Sequence, residues 1–238
     1  MVAVPESRRS SALQRVYWWA AIVAALVVFA GFAPTYYLKA WFGTPTLPTL
    51  VHVHGLVMSA WFVVFATQVW LVESHRIRLH RRLGLFGAAL VVLIPILGIA
   101  TAIEGARRHA GPPGVPPLIF LSVPIFDILV FAGIAGSGLL LRRRSDFHRR
   151  LMLLATLGIL TAAIARLPLD FIRHGGPLVF FGLADLLILA CIAIDTIRQR
   201  RLHPAFGWGT AVIIVSQPLR LWLAGTPVWM DFAGWLVG

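Results

Sequence analysis

Seven long apolar runs, separated by short polar segments, occupy most of the 238-residue chain. They span 16–38, 49–72, 83–106, 118–141, 151–170, 178–197 and 206–225. A helix of about 20 residues, rising about 1.5 Å per residue, crosses a hydrocarbon core of roughly 30 Å. The pattern predicts an all-α, polytopic membrane protein: a bundle of seven transmembrane helices. Residues 1–15 form a polar N-terminal segment, 16–225 the transmembrane domain, and 226–238 a tail too short to cross. Trp229, Phe232 and Trp235 would hold that tail along the interface. The first run follows Arg8, Arg9 and Arg15 and outwardly looks like a signal peptide. It is too long for an h-region, and Pro34 follows without an A-x-A site, so it reads as an uncleaved first span.

The polar segments differ sharply in charge. The N-terminus and the second, fourth and sixth loops carry 3, 4, 5 and 3 arginines, whereas the opposite side carries only Lys39, Arg107, Arg108 and Arg173. The positive-inside rule then puts the N-terminus in the cytoplasm and the C-terminus outside, in the periplasm, for a protein of the inner membrane. A net charge of +12 would suit nucleic acid, but its confinement to short loops assigns it to topology, and no nucleic-acid partner is expected. The expected partners are the bilayer and a membrane protein or a second copy of the chain. The tetrapeptide His80-Arg81-Arg82-Leu83 returns as His148-Arg149-Arg150-Leu151, each copy opening an apolar run, so the bundle reads as internal helix-pair repeats. One cysteine, Cys191, precludes an intrachain disulfide, and without C-x-x-C-H there is no c-type haem attachment.

Chemistry must come from polar residues inside the runs, where an unpaired charge is expensive. Asp127, Asp185, Arg166, Arg220, Gln217, Glu104 and His54 all fall in the outer half of the membrane by position. Pro124 and Pro218 stand beside them, each removing a backbone donor. Two readings are open. One is an outward polar cavity for a small anion or quinone-like molecule, as in a transporter or receptor. The other is a pair of structural ion pairs, Asp127–Arg166 and Asp185–Arg220. His54, Met58, Trp61, Phe65 and Gln68 share one helical face, which suits either a cofactor wall or a buried seam glued by polar groups.

His80 and His148 start their helices at one depth on the basic side. On facing helices they would ligate a haem b, with nearby arginines taking its propionates. Alternatively they are interfacial histidines that cap helices. His52 and His54 lie about 200° apart on a helix and cannot chelate one ion, so no metal site is expected. No zincin, nucleophile-elbow or Walker motif occurs.

The LHRRLG segment followed by HRRLM resembles an uncharacterised bacterial family of multi-spanning membrane proteins, a domain of unknown function, over residues 54–166. That resemblance implies an inner-membrane protein and no activity. His54-Gly55-x-x-Met58 with Trp61 is similar to the first core helix of the di-haem b-type cytochromes that move electrons from ascorbate across membranes. This likeness implies that His80 and His148 hold a haem on the cytoplasmic side, and it supplies no partner for His54. Three functions follow as expectations: a b-type haem or electron-transfer protein, a transporter or receptor, or an accessory subunit without chemistry of its own.

Overall fold

Proline and glycine decide where the apolar runs bend. A computed structural model describes residues 6–238. Helix α1, Glu6–Phe32, passes into a π-helical turn, Ala33–Tyr37, where Pro34 has no amide to donate and Leu38 N reaches back to Ala33 O at 2.8 Å. Helix α2 is Thr49–Glu73 and α3 is Ile77–Arg107. Between them the chain reverses within Ser74–Arg76, with His75 at φ 55°. The expected basic loop is therefore mostly helix, and the first HRRL motif lies in the opening turns of α3. Helix α4, Pro117–Leu140, follows, then α5, Ser145–Gly158.

The fifth run is not one continuous helix. It breaks after Gly158 and resumes as α6, Thr161–Ile164, so the regular span closes near Ile164 instead of Asp170. Helix α7, Asp170–Gln199, begins earlier than its apolar run. The tight outer turn expected at Arg173–Pro177 is a kink inside it, made by Gly176 at φ 62°, ψ −161°. Only glycine occupies that region without strain, and Pro177 then restarts the helix with no amide to satisfy. Helix α8 is Pro204–Ala224 and α9 is Pro227–Val237, bent 85° from it.

Among the described residues six helical segments are long and apolar enough to cross a membrane, and α8 with α9 make a seventh if that bent pair counts as one broken span. The chain is an all-helical, multi-spanning membrane bundle. Helix α2 lies between α1 and α3, α4 between α3 and α5, and α8 against α4 and α5, while α1 closes onto α6 and α7. Ser145–Ile164 is the enclosed axis, 67% buried, whereas Asp170–Gln199, at 17%, lies at the periphery of the bundle. The tail does more than lie flat. Trp229 and Ala233 are buried against the far ends of α3 and α4, Trp229 Nε1 donates to Leu118 O at 2.8 Å, and Arg107 Nε donates to Val237 O at 2.8 Å. Phe232 and Trp235 remain on its exposed side.

Candidate functional site

The opening turns of α5 address a different neighbour with almost every residue, because successive side chains on a helix point about 100° apart. Asp146 meets His203 ahead of α8, with Oδ2 3.0 Å from Nε2. The His203 Nδ1 accepts from Ala205 N at 3.2 Å, so the proton sits on Nε2 and is donated to the carboxylate. The Phe147 ring lies edge-on to His203 at 4.7 Å. His148 turns to α4, its Nδ1 2.8 Å from Gly138 O. Arg150 turns to α7 and is only 2% exposed. Its Nε and Nη2 donate to the Asp195 carboxylate at 2.9–3.0 Å, Nη1 donates to Asp146 O at 2.9 Å, and the guanidinium lies over the Phe206 ring.

The structure brings His80 and His148 together. Their ring centres are 6.4 Å apart and their planes cross at 80°. Both residues are half-buried. A carbonyl oxygen can only accept, so the His148 Nδ1 carries a proton, and in the neutral ring the lone pair lies on Nε2. Gly138 makes the approach possible: a side chain there would run into Met152 and Leu151 of α5. The His80 Nδ1 is buried with no protein partner, while its carbonyl accepts from Gln68 Nε2 of α2 at 3.1 Å.

The outer residues pair differently from expectation. Asp127 pairs with Arg220, not with Arg166. Arg220 is 2% exposed and also donates to Ser216 O, Ser216 Oγ and Val123 O at 3.1, 2.8 and 3.3 Å. Phe126 and Phe181 flank its guanidinium. Thr161 Oγ1 donates to the other Asp127 oxygen at 2.8 Å. The reason lies in the packing: α4 lies directly on α8, and the break after Gly158 carries Arg166 away toward α1. There Arg166 covers the Phe32 ring and donates to Ala162 O at 2.8 Å. Asp185 meets Gln217 Nε2 at 2.8 Å, not Arg220. Glu104 pairs within its own helix with Arg108 near the surface. With its donors so fully engaged, Arg220 locks α4 to α8.

The α2 face points inward as its spacing predicts. Trp61 is 3% exposed and edge-on to Phe131 at 5.0 Å. His54 Nδ1, Trp61 Nε1 and Gln68 Oε1 along this face are buried without protein partners, as is Thr101 Oγ1 on α3. His52 stands outside, exposed.

Sequence reasoning missed the Arg150–Asp195 and Asp146–His203 pairs. Asp195 did offer a signal: an acid within an apolar run, near the C-terminal end of its helix, needs a cation of its own. Among the described residues no group of three or more His, Cys, Asp or Glu is placed to hold a metal ion. Comparison with family models, curated proteins and solved structures finds no match to the chain.

Proposed function

We propose that the chain is a b-type haem-binding membrane protein that passes single electrons, and that His80 and His148 would hold the haem. The observation that carries this reading is the 6.4 Å separation of their ring centres. Two imidazoles that held one metal ion between them, with bonds of about 2 Å and ring centres about 1 Å further out, would stand about 6 Å apart. The 80° between the planes is compatible, because a ring is free to rotate about its own metal–nitrogen bond.

The surroundings suit such a group. The Gly138 carbonyl holds His148 in the tautomer that leaves Nε2 unprotonated, the support that ligating histidines ordinarily have. Gln68 fixes the backbone at His80. Arg81, Arg82 and Arg149 put positive charge beside the pair, where propionates would be neutralised. When bound, the haem supplies a one-electron couple. The Arg150–Asp195 pair anchors the helix that presents His148.

In this reading the basic end faces the cytoplasm and the bundle sits in a bacterial inner membrane, as the arginine distribution supports. The direct test is haem content. Protein purified from haem-replete cells is expected to carry about one non-covalent haem per chain. Folded protein that is colourless and takes up no added haemin would overturn the proposal.

A further inference from the structure

Between α1 and α7 lies a slot of about 380 Å³, in the size range of ligand pockets. Its walls are apolar, with Val16, Trp19, Val23, Leu187 and Ile194 among them, and among the described residues its charged lining is Arg15 and Arg198. Arg15 lies near the basic end of α1 and Arg198 in the last turn of α7, so both mark one end of the slot. From Arg15 to Val23 and from Leu187 to Arg198 the walls run about 12 and 16 Å at the helical rise. That is about half of a hydrocarbon core of roughly 30 Å, the depth of one leaflet. The slot is on the periphery: Trp19 is 62% exposed, and α7 is the least buried of the spans. Among the described residues neither arginine forms an ion pair.

We infer that this slot binds an anionic phospholipid of the leaflet at the basic end, with an acyl chain between α1 and α7 and the phosphate between Arg15 and Arg198. The apolar walls fit any acyl chain, and the two unneutralised guanidiniums select the headgroup. Basic pockets between transmembrane helices recognise anionic lipid in this way. A zwitterionic lipid brings its own ammonium to the same arginines and loses that advantage.

The test uses the full chain in detergent, with dioleoyl phosphatidylglycerol and dioleoyl phosphatidylcholine as probes. Native mass spectrometry reads which lipid is retained, and maleimide labelling of Cys191, which lines the slot, reads where it sits. Phosphatidylglycerol is expected to be retained at least tenfold more strongly and to slow Cys191 labelling, given roughly fivefold per arginine. Arg15→Gln with Arg198→Gln abolishes both effects, and Arg15→Lys with Arg198→Lys keeps them. Arg142→Gln with Arg143→Gln, a matched loss of charge in the α4–α5 loop, also keeps them. Equal retention of the two lipids, retention without any change at Cys191, or a preference that survives loss of both arginines would overturn the inference.

Discussion

Asp195 places a buried carboxylate one turn before the end of α7, and Arg150 is its compensation. Both side chains are 2% exposed, so removing either one strands a charge. Asp195→Asn is expected to destabilise the protein by about 3–5 kcal/mol, the scale for breaking a buried pair, measured by thermal unfolding in detergent. Arg150→Met with Asp195→Leu should recover most of that loss, because an apolar pair of similar volume carries no stranded charge. A second test concerns Asp127. Its partner is Arg220. A double-mutant cycle of Asp127→Asn with Arg220→Gln should show a coupling of about 1–3 kcal/mol, whereas Asp127→Asn with Arg166→Gln should be additive within about 0.5 kcal/mol. Coupling to Arg166 in place of Arg220 would contradict the described packing. The sequence made Asp127, Arg166 and Arg220 conspicuous, since a charge inside an apolar run is rare, whereas Arg150 read as one more loop arginine. It could not say which charge meets which, because pairing depends on which helices are neighbours and where each helix breaks.

Elements were legible where the apolar period ran undisturbed. The inward face of α2 was readable from the three- and four-residue spacing of His54, Met58, Trp61, Phe65 and Gln68. The ends of α5 and α7 were not. Nothing in Leu157-Gly158-Ile159-Leu160 differs in hydropathy from its flanks, so the break there is a tertiary choice. The Arg173-His174-Gly175-Gly176-Pro177 segment has the composition of a turn, yet the helix continues on both sides of one glycine. Gly176 adopts a conformation closed to other residues, so Gly176→Ala should cost about 1–3 kcal/mol by the same unfolding measurement. An unchanged midpoint would show that α7 has no such kink. The tail illustrates a related limit. Its aromatic residues indicated an interface, but that Trp229 turns inward onto Leu118 follows from the 85° bend after Ala224.

For the whole molecule, α5 is the axis. From one end it anchors α4, α7 and α8 through His148, Arg150 and Asp146 and brings His148 to His80 of α3. The orientation of that axis is open to a labelling test. Single cysteines at Gly114 and Ser145, on a Cys191→Ala background, should react with an impermeant maleimide from opposite sides, Gly114→Cys from outside. Reaction of both from one side would contradict seven crossings. The repeated HRRL motif was the strongest functional signal in the sequence, and its two histidines do meet, though spacing alone could not tell a ligand pair from two helix starts at one depth. The most direct measurement is the reduced-minus-oxidised spectrum of protein purified from haem-replete cells, recorded for the natural chain and for His80→Ala and His148→Ala. The account predicts the sharp α and Soret bands of a low-spin b-type haem in the natural chain. Either substitution should remove them while the protein stays folded. Low-spin bands that persist without both histidines, or a well-folded natural chain with no haem spectrum, would contradict it.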